Sequence, residues 1–130
     1  MSDLLLDTSV FIAAESGRPM RQRPVGEARV SVVTLAELKL GILRATGDVR
    51  TVREATLAEA SLFLPLAVDE RVADELAGLL AKLRSAQRRS KAFDCFLAAT
   101  ALAHQLTVIT QDSDYDELQA VEPGLAVLRV

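Results

Sequence analysis

The sequence contains a single cysteine and a single histidine among its 130 residues. One cysteine, Cys95, cannot form an intrachain disulfide, and this sparing use of cysteine is typical of proteins in a reducing cytosol. A zinc site built from thiolate and imidazole ligands is excluded for the same reason. Because Cys95 lies in an apolar helical pattern, we expect it to be a small buried side chain.

Long hydrophobic runs are also missing. The longest apolar stretches are far shorter than the ~18 residues that a membrane-spanning helix needs. The first residues lack a basic segment followed by an apolar one, so we expect no secretory signal. Half of the residues are hydrophobic and a quarter are charged, without internal repeats or low-complexity segments. We therefore expect one globular domain, residues 1–130, in the cytoplasm and without membrane association.

The formal net charge of −3 argues against a generic nucleic-acid coat protein, which would be basic. The basic residues are unevenly distributed, because nine of the fifteen lie in two stretches, 17–29 and 82–91. Such stretches either form solvated surface or create a local positive potential that holds phosphates or the acidic groups of a partner. The sequence leaves both interpretations open.

The pattern of apolar and turn residues predicts strands that alternate with helices. The run Leu4–Leu6 is typical of a strand buried on both faces, as in a parallel sheet. Further strands are predicted at 30–33, 64–68, 107–110 and 125–130. Helices are predicted from Ser9 to Glu15, Thr34 to Arg44, Asp48 to Phe63, Asp69 to Ala86 and Asp94 to Gln105, with an exposed loop at 17–29 and an acidic turn at 111–117. This alternation predicts a three-layer α/β/α domain with a mainly parallel central sheet.

Acidic residues lie at several of the predicted junctions between strands and helices. Asp7 follows the first strand, and Glu37 lies in the first turn of the helix after the second strand. Asp94 begins the apolar fifth helix, and Asp112 lies two residues beyond the fourth strand. Because parallel strands end at one edge of a sheet, we expect these carboxylates to lie together. Clustered carboxylates repel one another, and their oxygens suit Mg²⁺ or Mn²⁺, so the pattern predicts a divalent metal site.

Each of these acids also has an ordinary structural explanation. Asp7 and Asp94 are both suitable N-caps for the helices that follow them. Thr34 and Glu37 have the spacing of a capping box, in which the glutamate bonds back to the start of the helix. Asp112 is a favoured turn residue. The argument for a metal site therefore rests on the whole set of acids rather than on any single one.

Four blocks of sequence, taken together, resemble the conserved blocks of a PIN domain. The blocks are Leu5–Ile12, Ser31–Leu38 with Gly41, Asp94–Ala101 and Val108–Tyr115. No block is specific by itself, but their order and spacing extend over essentially the whole chain. The small size and the lack of any appended segment resemble the VapC toxins of bacterial and archaeal type II toxin–antitoxin pairs.

This resemblance implies a Mg²⁺- or Mn²⁺-dependent ribonuclease, usually a homodimer, that a cognate VapB-type antitoxin holds inactive. The catalytic and metal-binding residues that it implies are Asp7, Glu37, Asp94 and Asp112. Thr110 matches a hydroxyl residue that often accompanies the last acid, whereas Tyr115 stands where phenylalanine is common. Asp114 and Asp116 are alternatives to Asp112 as the fourth ligand.

The chemistry that these residues allow is hydrolysis of an RNA phosphodiester by a metal-activated water, without a covalent nucleophile. One alternative is a PIN-like module that binds RNA or a partner without cleaving it. Such a module would more readily have lost one of the four acids, and none is missing here. An aspartate-based phosphatase would need a second acid two residues after Asp7, where the sequence has Ser9.

Overall fold

The computed structural model describes residues 3–130 and shows, within them, five strands and six helices. The strands are β1 (Leu4–Leu6), β2 (Ala28–Ser31), β3 (Leu64–Leu66), β4 (Thr107–Thr110) and β5 (Val127–Arg129). The helices are α1 (Thr8–Glu15), α2 (Val32–Leu43), α3 (Gly47–Ala60), α4 (Glu70–Ser85), α5 (Ala92–His104) and α6 (Asp116–Val121). No helix in this part of the chain is both long and apolar enough to cross a bilayer.

All strand pairs in the sheet are parallel, and the strand order is β3-β2-β1-β4-β5. β1 is the central strand: Leu4 is in register with Ala28 of β2 on one side and with Thr107 of β4 on the other. The carboxyl ends of all five strands therefore lie at the same edge of the sheet. The predicted α/β/α architecture with a mainly parallel sheet is confirmed.

The two faces of the sheet bury two separate cores. Leu5 of β1 points into a core formed with α4, α5 and α6, whereas Leu4 and Leu6 point into a core formed with α1, α2 and α3. This division follows from the alternation of side chains along a strand. Each fully buried leucine contributes about 1.5–3 kcal/mol. The three consecutive leucines therefore join both layers of helices to the centre of the sheet.

Helix α5 has the most buried residues of the six helices described and supplies much of the first core. Eight of its 13 residues are buried, and most of them are alanines or other small side chains that allow close packing. Cys95 is among them and is 2% exposed, as expected for a small buried side chain. Because α5 is held by packing rather than by polar contacts, the position of Asp94 in its first turn is firmly determined.

The sequence prediction was wrong at the junction between β2 and α2. We predicted a strand at 30–33 and a helix beginning at Thr34, but the strand ends at Ser31 and the helix begins at Val32. The Ser31 Oγ accepts a hydrogen bond from the Val33 backbone N–H at 3.0 Å, so Ser31 is the N-cap. This cap outweighs the β-propensity of the two valines. Thr34 and Glu37 therefore lie inside the helix and form no capping box.

Two other helix starts also differ from the prediction. Asp48 lies within the first turn of α3, whose N-cap is Thr46, and the helix ends at Ala60 rather than at Phe63. Gly47 has a φ of +60°, which allows the sharp turn between α2 and α3. Asp94 is not an N-cap, because α5 begins at Ala92 with Lys91 in the capping position. The carboxylate of Asp94 is therefore not used to cap a helix.

The remaining differences lie near the carboxyl end of the chain and in β3. Helix α6 occupies Asp116–Val121, where only an acidic turn was predicted. The strands predicted at 64–68 and 125–130 are shortened to Leu64–Leu66 and Val127–Arg129. By contrast, the strand predicted at 107–110 is confirmed, as is Asp69 as the N-cap of α4, with its Oδ1 accepting from the Val72 N–H at 3.0 Å.

Gly41 in α2 lies directly beneath the side chain of Arg53 from α3. A Cβ atom at position 41 would lie 3.0 Å from the Arg53 Nη1, which is the far end of a flexible side chain. Alanine is the better helix former by about 1 kcal/mol, and moving Arg53 aside should offset about half of this gain, so we expect Gly41→Ala to raise the free energy of unfolding by ~0.5 kcal/mol. Urea unfolding measures this change.

Gly78→Ala in α4 is the matched control, because nothing lies within 4 Å of a Cβ atom at that position. We expect this control to show the full helix-propensity gain of about 1 kcal/mol. A loss of stability in Gly41→Ala but not in Gly78→Ala would mean that Arg53 is fixed in place and cannot move aside.

Candidate active site

Asp7 lies where β1 ends and α1 begins, and only 5% of its surface is exposed. Its Oδ2 accepts hydrogen bonds from the Ser9 backbone N–H at 3.3 Å and from the Thr110 hydroxyl at 3.1 Å. Its Oδ1 accepts from the Tyr115 hydroxyl at 2.9 Å. Asp7 is thus an N-cap, but its carboxylate is also held by two hydroxyl groups from distant parts of the chain. Both of its oxygens have a fixed direction at the sheet edge.

The Thr110 hydroxyl connects several polar groups at the end of β4. Its Oγ1 lies 3.1 Å from Asp7 Oδ2, 3.3 Å from Asp112 Oδ1 and 3.2 Å from Ser9 Oγ. A threonine hydroxyl carries one proton, so it can donate to only one of the two carboxylates at a time. The residue is completely buried. Thr110 therefore joins Asp7 and Asp112 into one hydrogen-bonded group.

Glu37 reaches the same edge from α2. Its Oε1 accepts a hydrogen bond from the Thr8 hydroxyl at 2.7 Å. Partial burial raises the pKa of Glu37, and the charge of Asp7 raises it further, while the Thr8 bond and the Lys91 charge act in the opposite direction. Glu37 does not cap α2, so its carboxylate is free to reach the sheet edge. Glu37 is therefore oriented by Thr8 and lies within the electrostatic influence of Asp7.

Asp94 is the least compensated acid of the group. It is 8% exposed, and its Oδ2 is buried without a hydrogen-bond partner among residues 3–130. Its pKa is raised to about 7, chiefly by burial and also by the charges of Asp7, Asp114 and Asp112, which the charge of Lys91 only partly offsets. An unpartnered buried carboxylate oxygen is costly, and a native protein rarely retains one without a reason.

The three closely spaced aspartates after β4 have different surroundings. Asp112 Oδ1 accepts from the Asp114 backbone N–H at 3.1 Å and, through Thr110, is linked to Asp7. Asp114 forms an ion pair with Lys91 at 2.9 Å. Asp116 is exposed at the start of α6. Asp112 is therefore the member of the three that is best placed to act with Asp7.

Two residues of this edge were missed as functional candidates from the sequence. Lys91 supplies the nearest positive charge, and its pairing with Asp114 depends on the fold rather than on spacing. Tyr115 was noted only as a departure from phenylalanine, yet its hydroxyl holds Asp7 from inside the core. The sequence signal that could have indicated this role was a tyrosine hydroxyl at a position where phenylalanine is common. Burial and the neighbouring carboxylates raise the pKa of Tyr115, so it remains a proton donor.

The donor set at this edge fits a hard divalent cation. No group of three or more acidic, histidine or cysteine side chains within residues 3–130 has the arrangement of a preformed metal site. However, the oxygens of Asp7, Asp94 and Asp112 are the kind that Mg²⁺ and Mn²⁺ prefer. The unpartnered Asp94 Oδ2 and the mutual repulsion of the carboxylates are both conditions that a cation would relieve.

A small parallel α/β domain with buried carboxylates at the carboxyl edge of its sheet defines the class of this protein. Residues 4–121 match the PIN domain family, and the chain belongs to that family. Within it, the chain is of the VapC type, as its relatives show.

Two curated relatives come from Mycobacterium tuberculosis. Ribonuclease VapC4 is 46% identical over 120 residues, which cover 91% of this chain and 92% of that protein. Ribonuclease VapC5 is 41% identical over 128 residues, which cover 97% of this chain and 94% of that protein. The crystal structure of VapBC-5 from the same organism, a member of the VapBC family of toxin–antitoxin systems, contains a chain that is 36% identical. That similarity covers 100% of both chains, with a TM-score of 0.89.

Proposed function

We propose that this chain is a Mg²⁺- or Mn²⁺-dependent endoribonuclease and the toxin of a VapBC-type toxin–antitoxin pair in the cytoplasm. The observation that carries the proposal is the group of carboxylates at one sheet edge, in which Asp94 Oδ2 is buried and without a partner. Two relatives that are 46% and 41% identical are named ribonucleases, and the chain aligns with them over nearly its full length. The presence of all four acids that the PIN resemblance implies argues against a silent module.

The residues of the edge divide the work of phosphodiester hydrolysis. A bound divalent ion supplies Lewis acidity, which neutralises charge on the phosphate and makes water more acidic. Asp7 and Asp94 would be direct ligands, since the first has fixed oxygens and the second has a free one. Asp112 would bind the ion directly or through water, and the Thr110 hydroxyl links the Asp112 carboxylate to that of Asp7.

Glu37 has a different role in this proposal. Thr8 orients its carboxylate, and partial burial raises its pKa, so it accepts a proton more readily than an ordinary glutamate. A carboxylate of this kind can orient the attacking water and take up its proton. No covalent intermediate is needed, because water is the nucleophile. Cys95 is buried and is not available as a nucleophile. The residues therefore support hydrolysis in a single displacement by water.

The proposed partners follow from the relatives and from the charge of the site. An acidic edge requires a counter-charge when no metal is bound, and a VapB-type antitoxin with an arginine or lysine could supply it. The similar chain in the crystal structure comes from a VapBC toxin–antitoxin system. We further propose that the toxin is a homodimer, as the resemblance implies, and that its substrate is RNA.

The test of this proposal is cleavage of a labelled RNA by the purified chain with and without divalent ions. We expect cleavage in Mg²⁺ or Mn²⁺ and none after chelation, because the carboxylates alone cannot activate water. Expression without an antitoxin should also arrest growth. Tight RNA binding without cleavage at any metal concentration would instead support the silent RNA-binding module. Cleavage that persists in a chelator would contradict the metal-dependent mechanism.

A further inference from the structure

A basic cavity of about 570 Å³ opens beside the acidic edge, between the loop after α1 and the end of β5. Its lining includes three arginines and two glutamines, and we call it the arginine cavity: Arg18, Arg21, Arg129, Gln22 and Gln111. We propose that it binds backbone phosphates of the RNA strand next to the cleaved bond. This inference rests on the proposed function and names a substrate contact that the carboxylates cannot make.

The charge of the arginine cavity favours an anionic ligand. No acidic residue lines it, and none of its three arginines takes part in an ion pair within residues 3–130. This local concentration of positive charge contrasts with the net charge of −3 for the whole chain. Arginine binds phosphate through paired N–H groups, and the volume falls in the roughly 300–1,000 Å³ range of small-ligand sites.

Gln111 connects the arginine cavity to the acidic edge. It lies between Thr110 and Asp112, and its backbone N–H donates to the Ser9 Oγ at 3.0 Å. Its side-chain Nε2 is buried and has no acceptor within the described part of the chain. A buried donor without a partner calls for an acceptor from a ligand. A phosphate oxygen would satisfy this donor at the residue that immediately precedes Asp112.

The walls of the arginine cavity are tied to the sheet. The Gln22 side-chain amide donates to the Arg129 backbone carbonyl at 2.7 Å, which joins the loop to β5. The Val130 N–H donates to the Thr110 carbonyl at 2.9 Å, which joins the end of β5 to β4. Gln22 in the loop and the backbone at Arg129 therefore have a defined position relative to the strand that carries Thr110. An RNA strand held there would extend directly into the acidic edge.

A second basic cavity, of about 600 Å³, is formed by the other arginine-rich stretch and includes Arg84, Arg88 and Arg89. It is less suited to phosphate, because Arg88 is paired with Glu117 at 2.9 Å. The three arginines of the arginine cavity form no ion pair within residues 3–130. We therefore assign the RNA backbone to the cavity around Arg18 and Arg129 rather than to this one.

The experiment measures RNA binding separately from cleavage. A labelled single-stranded RNA is titrated by fluorescence anisotropy against chains carrying Asp94→Asn, without metal and over a series of salt concentrations. We expect Arg18→Gln combined with Arg129→Gln to reduce the slope of log affinity against log salt by about 1.4, or 0.7 for each lost phosphate contact. Arg23→Gln is the matched control, because Arg23 lies in the same loop but does not line the cavity.

A single neutral methylphosphonate linkage, moved along the RNA, then locates the contact. In the parent chain one position should weaken binding, and in the double variant the same substitution should have no further effect, as in a double-mutant cycle. A slope loss of about 0.7 in Arg23→Gln, the same as for each arginine of the cavity, would overturn the cavity as a defined site. Unchanged RNA binding in the double variant, with lost binding of a polyglutamate peptide, would assign the cavity to an acidic protein instead. Absence of metal-dependent cleavage by the unmodified chain would contradict the proposed function alone.

Discussion

Asp94→Asn is expected to make the metal-free protein more stable while removing its ribonuclease activity. The asparagine has nearly the same shape, so the packing of α5 is preserved, but it carries no charge into the buried edge. Asp94 is 8% exposed and is repelled by the nearby charges of Asp7 and Asp112. Removing this cost should raise the free energy of unfolding by on the order of 2 kcal/mol, or the melting temperature by about 6 °C.

The pH dependence of the Asp94→Asn effect follows from the pKa of Asp94, which rises from an ordinary 3.8 to about 7 in the folded chain. The folded state then binds the proton more tightly than the unfolded state does. The metal-free parent should therefore lose stability as the pH rises from about 4 to about 7, with no further loss from this group above that range. The two proteins should converge below about pH 4, where Asp94 is neutral in both states.

Thermal unfolding in a chelator, repeated across this pH range, measures the stability change, and cleavage of labelled RNA measures the activity. Asp116→Asn is the matched control, because Asp116 is an exposed aspartate in the acidic segment 111–117. We expect the control to stay within about 0.5 kcal/mol of the parent and to remain active. If Asp94→Asn were destabilising at pH 8, the carboxylate would have a favourable partner and the argument for a cation at this position would fail.

Asp7→Asn is expected to abolish cleavage as well, but with the opposite effect on stability. Both oxygens of Asp7 accept hydrogen bonds, from Tyr115 and from Thr110, and an amide can replace only one of these acceptors. The loss of a buried, charge-assisted hydrogen bond should lower the free energy of unfolding by about 1–3 kcal/mol. Activity should fall at least about 100-fold, since even indirect partners of a metal ligand contribute 10–100-fold.

Urea unfolding and RNA cleavage of Asp7→Asn test both effects, with Asp69→Asn as the control. Asp69 also caps a helix, and asparagine caps about as well as aspartate, so the control should change neither quantity appreciably. Growth arrest on expression should be relieved by Asp7→Asn but not by the control Asp69→Asn. A fully active Asp7→Asn variant would exclude Asp7 as a metal ligand.

Tyr115→Phe separates the role of the hydroxyl from the role of the ring. In the parent, Tyr115→Phe removes the hydrogen-bond donor to Asp7 Oδ1 and should lower the free energy of unfolding by about 1–3 kcal/mol. In the Asp7→Asn background the cost should be smaller, because the charged acceptor is already absent. Equal costs in the two backgrounds would show that Tyr115 stabilises the core only through its packing.

The sheet and its acidic edge could be predicted because their signals are local. The run Leu4–Leu6 is continuously apolar, the strand at 107–110 consists of β-branched residues, and Asp7 and Asp112 follow these strands closely. Parallel pairing then brings the acids to one edge by geometry. The position of each acid is therefore explained, whereas the assignment of Asp7, Glu37, Asp94 and Asp112 as metal ligands stays a prediction.

The details that were missed depend on neighbours far away in the sequence. Ser31 and Thr34 are both good N-caps, but in the folded chain Ser31 caps the helix and Thr34 is buried inside it. The start of α5 at Ala92, rather than at Asp94, depends on its contacts with α4. The unpartnered oxygen of Asp94 depends on what the other strands bring near it. None of these features has a signature in the residues adjacent to it.

The hydrogen bonds that hold Asp7 connect the two ends of the chain. Thr110 and Tyr115 lie 103 and 108 residues further along the sequence. Such contacts of high contact order form late in folding, after the loop entropy between them has been overcome. During synthesis, a ribosome-bound chain that lacks β4 has no partner for this side of β1 and no hydroxyl to orient Asp7. The acidic edge is consequently assembled only after the segment from β4 to Tyr115 has been synthesised.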